Sequence, residues 1–340
     1  MARAGFNRRT ALATLTMTLA AESNDIDMVA YLKSPTFGFA HHRGITHTFV
    51  GAPFVAAAVL LLVRIIELVR HRFEDQEARS SRLRKRGLPT EARWGMLYLL
   101  ALYACLVHIL LDFTNNYGVR PFEPFSYRWY AWDTVFIYEP LLYVVLIGGL
   151  VLPSLFALIN EEIGSRAKTP RGQVGAIMAL VGVLAVWGVR DYEHRKAVSA
   201  LESRVYQGAD PLRVSALAYP LNPFLWYGIA ETENFYARSV VIDGEVDPHG
   251  EMSIRYKPEG TPAAEAARKT YLGRVFLDWA RYPVLEAETR DEPKRYTVRF
   301  IDLRFRYPNS TQNVLSPRLD LDSNLEPTGI WWGQRKDNVR

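Results

Sequence analysis

Four stretches of this chain lack Asp, Glu, Lys and Arg for long enough to suggest membrane crossing, and all four lie before residue 190. They run from Ile45 to Val63, Trp94 to Leu111, Leu141 to Ile159 and Gln173 to Val189, the last being shorter and glycine-rich. A helix of about 20 apolar residues covers a hydrocarbon core of about 30 Å. Inside that core a helix satisfies its own backbone N–H and C=O groups, which an open strand cannot do. A fifth segment, Thr10 to Ala21, is apolar and helix-prone but too short to span alone. No comparable run follows residue 190. The chain is therefore expected to form an α-helical integral membrane domain over 1–190, with about four spans and a short N-terminal helix. A small α+β domain over 191–340 follows it.

Charge follows the same division. The chain carries 41 Lys+Arg and 36 Asp+Glu, a formal net charge of +5. From residue 190 onward the two kinds balance at 22 each, so the excess belongs to the apolar half. That basicity reads as membrane topology, and no nucleic-acid partner is expected. The link Arg70–Arg93 holds eight Lys+Arg against four acids, which places it in the cytoplasm by the positive-inside rule. The link with Arg166, Lys168 and Arg171 falls on the same side if spans alternate. The opposite face then holds the end of the second span and everything after residue 190, so the C-terminal domain is expected outside the cytoplasm. Tyr127, Trp129, Tyr130 and Trp132 fit an interfacial aromatic belt. Cys105 is the only cysteine, which excludes an intrachain disulfide and a cysteine zinc cage; it reads as a small buried hydrophobe.

The C-terminal half begins with a polar helix-like piece, Asp191 to Ser203. Strand-like runs follow at Leu225–Ile229, Phe235–Ile242, Met252–Tyr256 and Tyr296–Tyr307. A helix is expected over Pro262–Ala280, with Tyr271, Val275 and Trp279 at helical spacing. The run Arg299 to Arg306 alternates like a half-buried strand. The tail has no glycine-rich phosphate loop, nucleophile elbow or zinc-helix motif.

Chemistry concentrates at His41-His42-Arg43-Gly44-Ile45-Thr46-His47, which holds three of the seven histidines at the mouth of the first apolar run. Imidazole is a common ligand for zinc-like metals and a poor hydrophobic filler. His108 and Asp112 are four apart and share a helix face, so both can point at one ion, or Asp112 can orient the imidazole. Gly44 permits a turn that brings His42 and His47 together. Asp25 and Asp27 are oxygen donors suited to zinc, manganese or iron beside imidazole, and one of them is expected to face the site. Arg43 is suited to hold a substrate phosphate or carboxylate bidentately. Metal ligands His42, His47, His108 and Asp112, with Asp25, Asp27 and Arg43 in catalytic roles, make the expected site. Glu139 and Asp133 read as helix starts or distal ligands, His71 and His194 as solvated, and His249 as part of a turn.

At these residues the chain resembles the bacterial membrane-bound metal-dependent hydrolases of the YdjM/YbcI-like family. The resemblance rests on Asn24-Asp25-Ile26-Asp27, His42-Arg43-Gly44-Ile45-Thr46-His47-Thr48, and His108 to Asp112 with Tyr117-Gly118 after it. Asn24 stands where that family usually has proline and Thr48 where it has serine; neither change removes a ligand. Pro124-Phe125-Ser126, Asp133 and Pro220-Leu221-Asn222-Pro223-Phe224 with Trp226 also look familial, so the likeness covers about residues 5 to 240. It implies a bacterial inner-membrane location. Members also carry a Thr-His element upstream of the position of Gly5, so the resemblance implies either that this protein lacks that ligand or that the natural chain starts before Met1.

The expected function is a membrane-embedded hydrolase at the outer face, using a divalent ion, zinc first. Its substrate is expected to be a small or lipid-like molecule, a phosphoester among them, drawn from the adjacent bilayer. The alternatives are a scaffold in which the metal only pins helices, and a proton- or metal-coupled transporter. A transporter should repeat ionisable groups at mid-depth through several spans, which this chain does not do.

Overall fold

The apolar runs form helices. The computed structural model describes all residues except 86, 163–171, 248–251, 259, 292–293, 307–314 and 338–340. In chain order the helices are α1 (Ala13–Ser23), α2 (Pro35–His41), α3 (Ala52–Phe73), α4 (Gln76–Lys85), α5 (Trp94–Thr114), α6 (Pro140–Glu162), α7 (Gln173–Glu202), α8 (Pro262–Lys269) and α9 (Tyr271–Trp279). Two units form: Met1–Ile26 with Arg43–Asp191, and Asp27–His42 with Tyr192–Arg340. The units change at 191/192, and residues 27–42 pack with the C-terminal unit.

In the first unit α1, α3 and α5 pack around Ala20, Ala52, Ala56, Ala101, Ala104 and Cys105, all buried. Small residues at these contacts let the backbones approach closely, which is how helices associate where no hydrophobic drive separates side chain from lipid. Leu61, Leu62, Ile65, Leu68 and Val69 of α3 are exposed, an apolar outer face fit for lipid. A Cβ on Gly149 of α6 would come within 2.7 Å of the Gly175 carbonyl oxygen of α7, so only glycine permits that crossing. Among the described residues three helices are long and apolar enough to cross a membrane: α3, α5 and α7. The fourth expected run lies in α6, whose described apolar part, Pro140–Pro153, is shorter than a span.

The first run begins later than expected. Ile45–His47 is a 3-10 turn and α3 starts at Ala52, with Pro53 in its first turn, where a missing N–H does no harm. The Thr48 hydroxyl accepts from Gly51 N at 2.8 Å, and a Cβ on Gly51 would collide with the Ile45 carbonyl. Of the expected aromatic belt, Tyr127 is exposed, whereas Trp132 donates to Asp191 Oδ1 at 3.1 Å and Trp129 packs on Tyr117. The basic link at Arg166, Lys168 and Arg171, and the His249 turn, lie outside the described residues.

The second unit contains two antiparallel sheets. One has β1 (Arg213–Ala218), β2 (Leu225–Glu231), β3 (Phe235–Ile242) and β4 (Glu245–Val246) in order, with β5 (Ser253–Tyr256) on β3. The other runs β10 (Arg335–Asp337), β9 (Pro327–Trp332), β8 (Pro317–Leu321), β7 (Lys294–Asp302), β6 (Pro283–Asp291). Leu217, Tyr227 and Ile229 of the first sheet share a core with Val284 and Ile301 of the second. Residues 27–42 join this unit because α2 carries an apolar face. Phe39 is buried against Phe276, Trp279 and Trp332, and Asp337 accepts from Thr36 N at 2.7 Å.

Two local expectations change. The helix expected over 262–280 breaks at Thr270, whose hydroxyl caps α9 by accepting from Gly273 N at 3.0 Å. Its buried face is Leu272, Phe276 and Trp279, with Tyr271 exposed. The strand expected to run to Tyr307 stops at Asp302, which accepts from Arg304 N at 3.0 Å and from Arg304 Nε at 2.9 Å. Arg304 is buried, donates to the Trp279 carbonyl at 3.0 Å and lies over that indole. The arginine-rich run therefore ends in a buried ion pair rather than continuing as a half-buried strand.

Candidate metal centre

Four side chains of the first unit converge at the end of α5. His108 and Asp112 lie one helical turn apart on that helix. The His108 Nδ1 sits 2.6 Å from the Ala21 carbonyl oxygen, an acceptor only, so Nδ1 carries the proton. That bond turns Nε2 inward, the usual second contact of a metal-binding imidazole. His47 closes the 3-10 turn, is fully buried, and has its Nδ1 3.1 Å from the Thr46 hydroxyl. The two Nε2 atoms are 3.2 Å apart.

Each imidazole also faces two carboxylates. His47 Nε2 lies 3.4 Å from Asp25 Oδ1 and 3.3 Å from Asp112 Oδ2; His108 Nε2 lies 3.7 and 3.6 Å from the same atoms. Ligands about 2.0–2.1 Å from a tetrahedral ion are separated by about 3.3–3.4 Å, and Asp25, His47 and His108 offer donor atoms close enough together to hold one ion. Asp112 Oδ2 is buried and makes no hydrogen bond among the described residues. A buried carboxylate oxygen left so is costly unless a cation serves it. The donor set of two nitrogens and two oxygens fits zinc, manganese or iron. The His108 and His47 imidazoles hold the Asp25 carboxyl well below the ordinary carboxylate range, against its partial burial.

Arg43 holds the other edge of Asp112. Its Nη2 is 2.8 Å from Asp112 Oδ1, while Nη1 donates to the Gly118 carbonyl at 3.0 Å and to Asn115 Oδ1 at 3.3 Å. The guanidinium lies 4.7 Å from the Tyr117 ring centre. The left-handed residue of the His-box turn is Arg43, at φ 54°, and not Gly44. Gly118 does need to be glycine: its φ is 88°, and a Cβ would stand 2.9 Å from the Tyr130 carbonyl oxygen. Asn24, fully buried, donates to the Cys105 carbonyl at 3.4 Å and so seats the neighbouring Asp25 against α5. The sequence shows Asn24 only as the residue that replaces proline before Asp25; its burial gives it this role.

The expected residues thus divide. Asp25, His47, His108 and Asp112 come together in the first unit with Arg43 behind them. His42 and Asp27 belong to the second unit, where His42 Nδ1 lies 3.2 Å from Asp27 Oδ1. His42 caps the C-terminus of α2, so the packing of that helix decides its place, and Asp25 completes the set expected of His42. Glu139 accepts from Leu141 N at 3.2 Å at the start of α6 and pairs with Arg190 at 2.7 Å, both buried, a structural arrangement. His71 is half-exposed near Glu67, whereas His194 packs against Trp226 rather than standing in solvent.

Apolar helices of spanning length and a His/Asp cluster at one helix end define a membrane protein with a candidate metal centre, continued by an α/β domain. The chain belongs to the YdjM inner membrane protein family, whose model matches residues 1–197. Residues 262–339 match the YfhP C-terminal alpha/beta plait domain. Uncharacterized protein YfhP of Bacillus subtilis (strain 168) is 24% identical over 324 residues, covering 94% of this chain and 86% of that protein. No solved structure matches.

Proposed function

We propose that the chain is a metal-dependent hydrolase whose centre opens at the outer face of the inner membrane. The observation that carries this reading is the pair of inward-facing Nε2 atoms of His47 and His108, 3.2 Å apart and flanked by the two carboxylates. When bound, a divalent ion supplies Lewis acidity and a nucleophile competent near neutral pH. His47, His108 and Asp112 form the closed side of the centre. Asp25, its side chain 45% exposed, is the open side, where it can hold the ion or take a proton from the attacking water. Arg43 positions Asp112.

Ile26, Ile45, Phe49 and Phe125, in the segments that bear the centre or follow it, are exposed apolar side chains, which suits a lipid-derived phosphoester. The outward orientation rests on the basic Arg70–Arg93 link. Elemental analysis of detergent-purified protein followed by a phosphoesterase and esterase panel tests the reading. One equivalent of metal with metal-dependent hydrolysis supports it. Stoichiometric metal with no hydrolysis of any substrate favours a metal-pinned scaffold, a reading that gains from the engagement of Arg43 with protein atoms.

A further inference from the structure

A cavity of about 420 Å³ lies between the N-terminal segment, the C-terminal end of α3, and α4, and none of its lining residues belongs to the metal centre. That volume is within the usual range for small-ligand sites, about 300–1,000 Å³. Its charged lining is Arg70, Arg79 and Arg82 against one carboxylate, Glu74. Glu74 is already taken by Arg82 at 2.9 Å. Arg70 and Arg79 make no ion pair among the described residues, so the cavity keeps an excess of positive charge. Its remaining wall includes Leu12, Leu15, Leu83 and Leu88.

Apolar wall and paired guanidinium groups meet where the apolar surface of α3 gives way to Arg70, His71 and Arg72. At that depth a spanning helix leaves the hydrocarbon and enters the headgroup layer. Guanidinium forks match phosphate oxygens geometrically, and basic pockets at this level suit acidic headgroups.

We propose that this cavity binds a phosphate-bearing anion, presented by an anionic phospholipid with its chain ends on the leucine wall, or by free phosphate. Arg70 and Arg79 contact the phosphate, and Glu74 keeps Arg82 oriented beside them. The site is independent of the metal centre.

The test uses full-length protein in detergent, titrated calorimetrically with dihexanoyl phosphatidylglycerol, dihexanoyl phosphatidylcholine and inorganic phosphate. Phosphatidylglycerol should bind saturably and in preference to phosphatidylcholine. Arg70→Gln with Arg79→Gln should weaken it about thirtyfold, the effect of removing two basic groups at a membrane surface. Arg84→Gln with Lys85→Gln removes equal charge from α4 outside the cavity lining and should leave binding near the unaltered level. Metal content, read on the same samples, should not change in either variant. Inorganic phosphate binding as tightly as phosphatidylglycerol would support the site and name free phosphate as the source. Three results overturn the proposal: no saturable binding of either anion, equal binding of phosphatidylcholine, or equal weakening by the Arg84/Lys85 pair.

Discussion

Replacing Arg43 by lysine separates a positioning role from a substrate-binding one. The guanidinium reaches two places at once, Asp112 Oδ1 at 2.8 Å and the Gly118 carbonyl at 3.0 Å. A lysine ammonium keeps the charge but is a single point on a flexible stem, so it can serve only one of them. Asp112 would then turn more freely, and its Oδ2 would lose the fixed aim at the two imidazoles. Removing a group that orients a metal ligand lowers affinity by about 10–100-fold, or about 1.4–2.7 kcal/mol. Lysine should fall near the tenfold end because it still neutralises Asp112. Methionine should fall near the hundredfold end and also lose about 3–5 kcal/mol of stability, the usual effect of leaving a buried charge unpaired. Competition with a chromophoric chelator measures the affinity, and thermal unfolding of metal-free protein measures stability separately. Unchanged metal affinity in Arg43→Lys, with turnover of an identified substrate impaired, would refute the positioning role and assign Arg43 to the substrate anion.

Alanine at His47, His108 or Asp112, and asparagine at Asp25, should each reduce bound metal in elemental analysis, whereas alanine at His71 or His194 should not; equal losses at both sets would sink the ligand assignment. An alkaline phosphatase fused after Arg340 should be active, since that enzyme matures in an oxidising compartment; a well-expressed but inactive fusion would reverse the orientation. Arg304→Met should destabilise the C-terminal unit by about 3–5 kcal/mol because Asp302 is left buried without its partner, a loss readable as a lower thermal midpoint with metal content unchanged. Gly118→Ala should lower both stability and metal affinity, because strain at φ 88° falls on the carbonyl that Arg43 binds; an unaffected variant would mean that this loop does not hold the centre.

Some of this protein is written locally. Spanning length and the absence of charge identify α3, α5 and α7 from neighbouring residues alone, because a bilayer leaves a lone apolar chain few options besides a helix. The pairing of His108 with Asp112 is equally local: a four-residue step along any helix puts them on one face. Strands such as Phe235–Ile242 are likewise legible from short-range pattern. Tertiary structure decided what adjacent residues cannot reveal. Asp25 and Asp27 are two apart and chemically identical, as are His42 and His47 as side chains. Asp25 and His47 meet α5, while Asp27 and His42 pair in the other unit. That division follows from the burial of Phe39 among aromatic residues more than 200 positions away, and from a left-handed turn at Arg43 that redirects the chain between the two histidines. The buried Arg304 is the same lesson in the C-terminal unit. Its alternating sequence reads as one side of a half-buried strand, but a carboxylate, a carbonyl and an indole brought together by folding let the guanidinium leave water.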